Sequence, residues 1–257
     1  MSSSGKERSV SQKIKAPNAS KGGNGFLWGI IAILVIAAVA IGFIVYNNQQ
    51  HKVDNITLPD DTVDVKMTTD EAAVTLEPKN AGDDVPTVEV FEDFSCHYCA
   101  QLESASSGDL KKALEDGKVK VKFNFLNFLD RGDESGPSTR GAAVAWAVAK
   151  AGDVDAFWNI HRLMMDEQST VTRQWGWDDL ANAAEKIGVN GDVVDKIRDE
   201  SVKDEGLKVA QKNDKEIEKR EGDVSSPLLY KNGKRFDPPS NPDQTLSSWV
   251  PVALEGK

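Results

Sequence analysis

Two cysteines, Cys96 and Cys99, are the only ones in the 257-residue chain, and two residues separate them. That spacing suits thiol–disulfide exchange: a thiolate attacks a disulfide sulfur, and a second sulfur one helical turn away closes a short disulfide and releases the bound partner. Such chemistry needs an ionised sulfur near neutral pH. A helix N-terminus supplies the means, because its unsatisfied N–H groups and dipole favour negative charge. Cys96 at such a cap has its pKa drawn into the roughly 3.5–7.5 range of reactive cysteines, at about 1.36 kcal/mol of thiolate preference per pKa unit. Cys96 is therefore the expected attacking sulfur and Cys99 the resolving one.

The flanking residues fit that placement. Thr87 to Phe94 alternates as a strand, and Ala100 to Glu115 carries Leu102, Leu110 and Leu114 at helical spacing, with Gly108 a weak point. Two other uses of the pair fare worse. A structural disulfide across two residues closes a tiny loop and gains little unfolded-state entropy. A zinc site needs about four ligands, and two cysteines with three histidines offer no second paired motif. No metal and no cofactor is expected.

The net charge of −10 is unevenly spread. Lys6, Arg8, Lys13, Lys15 and Lys21 face Glu7 alone in residues 1–25, so the acidic excess lies further on. An acidic domain argues against nucleic acid or anionic lipid as its partner. Between these regions, Phe26 to Tyr46 is an uncharged apolar run of the length that crosses a bilayer, with Trp28 and Tyr46 near its ends. Basic residues on its N-terminal side predict a cytoplasmic N-terminus and an exported remainder. Ala38-Val39-Ala40 offers the competing reading of a cleaved signal peptide, but the apolar run continues through Val45. The expected organisation is a disordered cytoplasmic tail over 1–25, a single transmembrane helix over 26–46 and an extracytoplasmic linker over 47–70. A domain over 71–257 follows, on the outer side of the cell membrane.

Within that domain Ala72 to Pro78 and Val119 to Phe125 read as further strands, so strand, helix, strand gives a parallel crossover around the cysteines. From about 138 to 221 only helical patterns appear: Ala142 to Lys150, Asp153 to Met165, Trp177 to Ile187, and one or two more before Glu221. The charge run Asp204 to Glu221 reads as an exposed helix face. Strand signals return around Leu228 to Tyr230, with Asn232-Gly233 as a hairpin turn, and Thr245 to Leu254 suits a last helix that Pro251 kinks or ends.

Taken together, Phe91 to Cys99, the helical stretch between two strand-bearing halves, and Ser226-Pro227 ahead of a hairpin resemble the membrane-anchored DsbA-like thiol-disulfide oxidoreductases of Gram-positive, actinobacterial type. The resemblance covers about residues 70–257. It implies an α/β, thioredoxin-like fold with an inserted all-helical subdomain, preceded by the transmembrane helix. It also implies that Pro227 is a cis-proline facing the cysteines, with Ser226 and Tyr98 as substrate-binding candidates. The partners implied are exported proteins still folding and a membrane re-oxidant resembling vitamin K epoxide reductase. Two departures stand out. The family's buried carboxylate six residues before the first cysteine is replaced by Val90, which leaves Glu92 and Asp93, on opposite faces of the strand by alternation, as the nearer carboxylates, with Glu92 the candidate proton relay. The motif histidine follows the first cysteine, as His97, where it is expected to steady the Cys96 thiolate. The leading function is an oxidase donating the Cys96–Cys99 disulfide. A reductase or isomerase would use the same dithiol, and a non-redox binding or chaperone module would not need it.

Overall fold

The computed structural model describes residues 25–82 and 84–255. It divides between Asn47 and Asn48, and the first helix, α1 (Gly25–Asp54), runs through that point. On the first side of it the described side chains, residues 27–43, carry no charge, and Leu27, Trp28, Ile33, Leu34 and Val39 are exposed. Among the described residues no helix is long and apolar enough to cross a membrane. The described apolar stretch is 17 residues, against about 20 for a crossing, so the expected span over 26–46 rests on the sequence. The tail expected over 1–25 lies outside the described residues, Gly25 excepted.

The region expected as a linker, 47–70, is corrected. Its start completes α1, whose last turn buries Val53 and pairs Lys52 with Asp179 at 2.8 Å. Its end is a strand, β1 (Val65–Asp70), in antiparallel register with β2 (Ala73–Pro78) from Val65↔Pro78 to Asp70↔Ala73. Between them Asp61 N–H donates to Asn159 Oδ1 (3.0 Å) and Val63 N–H to Asp155 Oδ1 (2.7 Å). β1 is an edge strand with little of its surface buried, so its composition looks like a spacer's while its backbone is fully used.

After β2 come β3 (Thr87–Asp93), α2 (His97–Glu115) and β4 (Lys120–Leu126). The helix runs through Gly108 without a break. β3 and β4 pair in parallel, with Val90 beside Phe123. Six helices follow: α3 (Pro137–Lys150), α4 (Val154–Asp166), α5 (Val171–Gln174), α6 (Trp177–Ile187), α7 (Gly191–Arg198) and α8 (Lys203–Glu221). The chain returns as β5 (Leu228–Lys231), β6 (Lys234–Phe236) and α9 (Val250–Leu254). Asn232 and Gly233, at φ 50° and 77°, form the left-handed turn that joins β5 to β6. The sheet order is β1-β2-β4-β3-β5-β6. The last helix is shorter than the expected Thr245 to Leu254. Pro251 stands in its first turn, where a missing N–H costs nothing, and so starts the helix instead of ending it.

Both faces of the central pair are covered, and alternation sorts β3 between them. Val88 and Val90 join the larger core that contains Leu102, Leu110 and Phe157, while Phe91 packs with Ile217 of α8, Leu228 and Tyr230. The charged run of α8 is exposed on one side only. Its other side buries Val209, Ala210 and Ile217 and sends Asn213 Nδ2 to the carbonyls of Ala72 (2.9 Å) and Phe125 (3.0 Å). That contact ties the helical insertion to the sheet.

α8 also crosses α3 with no spare room. A Cβ on Gly206 would lie 2.2 Å from Ala143 Cα, and backbone cannot yield as a side-chain tip can. Gly206→Ala is expected to destabilise the protein by about 1–3 kcal/mol, read as a lower denaturant midpoint at unchanged slope.

Candidate active site

Alternation along β3 carries the chain into the site. Phe94 and Ser95 follow the strand, and the Cys96 N–H donates to the Asp93 carbonyl at 2.8 Å. The buried Asp93 carboxylate holds this turn, accepting from Ser95 N–H (2.8 Å) and Leu129 N–H (3.2 Å). Burial lifts its pKa to about 7, against the opposing pull of hydrogen bonds from Ser138, Ser95 and Leu129. Gly141 of α3 lets the chain pass close by, since a Cβ there would strike the Phe94 ring at 2.7 Å.

Cys96 is the N-cap residue of α2, with extended backbone (φ −79°, ψ 116°), and no acidic side chain occupies the first turn. The sulfur is thus the group that meets the open N–H end of the helix. Its pKa falls to about 6, chiefly through a hydrogen bond from the Cys99 thiol, then through Ser226 and the backbone N–H groups of Cys99 and Tyr98, while burial opposes the shift. Cys99 moves the other way. Burial pushes its thiol well above the usual range, and the neighbouring Cys96 sulfur adds to the rise. Cys96 is 7 % exposed and Cys99 2 %, so an incoming sulfur meets the ionised one first. Both are free thiols in this structure.

Across from the helix end, the Ser226–Pro227 peptide is cis, and the Cys96 thiol donates to the Ser226 carbonyl at 3.5 Å. Pro227 leads directly into β5, where Leu228 pairs with Phe91. Among the described residues no cluster of three or more His, Cys, Asp and Glu side chains is arranged to hold a metal ion.

Known proteins match this arrangement. The family model described as "Thioredoxin" fits residues 83–250. The chain belongs to the thioredoxin family. MdbA, a thiol-disulfide oxidoreductase from Corynebacterium diphtheriae, superposes with a TM-score of 0.69 at 36 % identity, over 76 % of this chain and 95 % of that one. MdbA from Corynebacterium matruchotii gives 0.67 at 35 % identity, over 75 % and 94 %. Disulfide bond formation protein D of Bacillus subtilis (strain 168) is 26 % identical over 186 residues, 70 % of this chain and 78 % of that one. This thioredoxin-family chain is therefore a DsbA-like thiol-disulfide oxidoreductase with a helical insertion, and a non-redox binding module is set aside.

Within that family frame, the structure separates the other candidate residues. The His97 ring accepts a hydrogen bond from Gln101 Nε2 (2.9 Å) on the exposed side of α2, and the hydrogen bonds that lower the Cys96 pKa come from Cys99, Ser226 and the Tyr98 backbone. Tyr98 is exposed, with its ring centroid 5.9 Å from that of His97. It is the Tyr98 backbone N–H, not the phenol, that acts on the sulfur. Glu92 is buried on the α2 side of β3, accepting from His161 Nε2 at 2.6 Å. Val90, in the position six residues before Cys96, is core.

Several residues of the helical insertion reach this site with no warning in the sequence. Gln168 Nε2 donates to the carbonyls of Phe94 (2.7 Å) and Cys96 (2.9 Å), and Arg173 donates to that of Ser95 (3.0 Å). His161 of α4 lies between Glu92 and Glu103. Only Glu103 left a trace, standing four residues after Cys99 and so on the same helix face. A groove of about 500 Å³ lies alongside, lined by His97, Gln101, Ser104, Met165, Gln168 and Leu246 among others.

Alkylation of the dithiol form is expected to follow a single inflection near pH 6 assigned to Cys96, with Cys99 unreactive until well above pH 9. Mass mapping of each cysteine after timed iodoacetamide treatment checks this, and equal labelling of the two at pH 7 would contradict it.

Proposed function

We propose that this enzyme is an oxidase that donates its Cys96–Cys99 disulfide to exported proteins as they fold, from the outer side of a membrane. One observation carries the reading: Cys96 caps the open end of α2 opposite the Ser226 carbonyl while Cys99 is buried one turn inside, which favours a thiolate at the outer sulfur and a thiol at the inner one. A stabilised Cys96 thiolate favours the reduced enzyme, and a favoured reduced form makes the disulfide the stronger oxidant.

The reaction then runs in two displacements. A substrate thiolate attacks Cys96 Sγ, the Cys96–Cys99 bond breaks, and Cys99 leaves with the electron pair and takes up a proton. A second substrate thiolate attacks the substrate sulfur of the mixed disulfide, forms the product disulfide and expels Cys96, which remains ionised near neutral pH. The substrate loses two electrons and the enzyme gains them. Ser226 and Pro227 border Cys96 where an extended substrate can align its backbone by strand-like pairing. His97 and Tyr98 present polar and aromatic surface to the same substrate beside the groove. Glu92, the relay candidate, instead accepts a hydrogen bond from His161, and its carboxylate adds to the rise of the Cys99 pKa. The uncharged run over 26–46, basic on its N-terminal side, supports a single-pass anchor with the catalytic domain outside the cell. With no third cysteine in the chain, re-oxidation falls to a separate membrane partner of the vitamin K epoxide reductase type.

Equilibration with glutathione is expected to give an oxidising potential, and Cys96→Ser to abolish oxidation of a reduced substrate. A strongly reducing potential would instead assign the reductase direction. The pH dependence follows from the Cys96 shift. Its folded pKa, about 6, lies below the ordinary 9.0, so the stabilisation is complete above pH 9 and lost as pH falls through 6. Between these limits the dithiol form should gain stability over the disulfide form by at most about 1.4 kcal/mol per pH unit, less where solvent screens the sulfur. Paired thermal melts of the two redox forms from pH 5 to 9 measure it.

A further inference from the structure

The main-chain carbonyls of Phe94, Ser95 and Cys96 all accept hydrogen bonds from side chains of the helical insertion. One of these, Gln168, stands in the short turn between α4 and α5, where its own backbone is fixed at both ends. Its N–H donates to the Met165 carbonyl (3.3 Å), and its carbonyl accepts from Arg173 N–H (3.1 Å). The side chain therefore starts from a set position and enters a buried site, 6 % exposed. There the amide uses both of its N–H bonds, on the Phe94 carbonyl (2.7 Å) and the Cys96 carbonyl (2.9 Å). Arg173 donates to the Ser95 carbonyl (3.0 Å) and faces Gln168 Oε1 at 3.5 Å. A flipped amide would set its oxygen against two carbonyl oxygens and its N–H groups against a guanidinium, so one orientation is selected.

The Cys96 carbonyl is the crowded one. Its oxygen, with two lone pairs, is approached by Cys99 N–H (3.1 Å), Ala100 N–H (3.2 Å) and the Gln168 amide, the nearest of the three at 2.9 Å. The Cys99 N–H has a second acceptor, because it also bonds the Cys96 sulfur, as does the Tyr98 N–H. A carbonyl already satisfied by Gln168 and Ala100 competes less for that proton. We propose that Gln168 is a positioning residue for the attacking sulfur. Its amide occupies the Cys96 carbonyl, which leaves the Cys99 N–H to the Cys96 thiolate, and Arg173 holds the amide in the orientation this requires. The proposal rests on the disulfide-exchange reading of Cys96 and deepens it, by placing part of the control of the nucleophile in the helical insertion.

Removing the amide has two consequences of different kinds. Phe94 has no exposed surface, and its carbonyl loses a donor, which weakens the fold in either redox state. The Cys96 carbonyl turns back to the Cys99 N–H, and the ionised sulfur loses a donor. This second effect is the one proposed. It vanishes when Cys96 is tied into the disulfide, since no thiolate remains to be bonded. The carboxylates that bear on the two sulfurs stay in place: Asp93 still accepts from Ser95 N–H, and Glu92 still raises the Cys99 pKa.

The test compares the full chain with Gln168→Met, which keeps an unbranched side chain of similar length and has no N–H to donate. Timed alkylation across the pH range reads the Cys96 inflection, and equilibration with glutathione under alkaline conditions reads the redox equilibrium. Loss of one hydrogen bond to the thiolate is expected to raise the inflection by about one pKa unit. The thiolate then favours the reduced enzyme less. With Cys96 ionised in both proteins, the equilibrium constant moves about tenfold towards the disulfide, which makes the potential about 30 mV more reducing. Arg173→Met, at an exposed residue, is expected to shift both readings the same way by less. A role confined to folding predicts that melting falls equally in the two redox forms, while the inflection and the equilibrium keep their wild-type values. Those unshifted values overturn the proposal, and an unshifted R173M overturns it even if Q168M does not fold. A strongly reducing wild-type potential would sink the oxidase direction yet leave the difference between wild type and variant in place, so the two failures are distinguishable.

Discussion

The open N–H groups at the start of α2 are the constraint on which the rest of the molecule depends. A helix cannot satisfy its first donors internally, and here the residue that meets them is a cysteine with no acidic side chain in the first turn to compete. The turn before it is fixed by the Asp93 carboxylate, the space beside it by Gly141, and the wall opposite by Ser226 and Pro227. Each keeps one sulfur at the helix mouth and the other one turn inside.

That one-turn separation creates the chemical difference between two identical side chains. Cys96 has donors directed at it, whereas Cys99 has the apolar core and a neighbouring negative sulfur. The outer thiol therefore ionises at a pH where the inner one does not, and the order of attack and resolution follows from position. The buried charges beneath them continue the same logic. Glu92 and Glu103 approach His161 from a strand and a helix on either side, and a protonated imidazole between them offsets part of the cost of burying carboxylates there.

The helical insertion takes part in the site as well as in the core. α4 supplies His161, and the segment just after it supplies Gln168 and Arg173, which hold the carbonyls of Phe94, Ser95 and Cys96. α8 anchors the whole insertion through Asn213 and the tight crossing at Gly206. A thioredoxin-like sheet positions the cysteines along the chain, and the insertion fixes them from above.

Local rules made much of this legible in advance. The strand into the cysteines, the helix after them, the parallel partner strand, most of the insertion's helices and the Asn232-Gly233 turn are written in short-range periodicity and turn chemistry, which act within one element. Cys96 as the outer sulfur followed from the same local physics. What only the tertiary structure decided involves groups far apart in sequence. β1 was hidden because an edge strand needs little apolar composition once its backbone finds partners on β2. His161, Gln168 and Arg173 are single polar residues among helices, without pattern of their own. They matter only because packing brings them within about 3–4 Å of groups some 60 to 80 residues earlier, a proximity no local rule encodes.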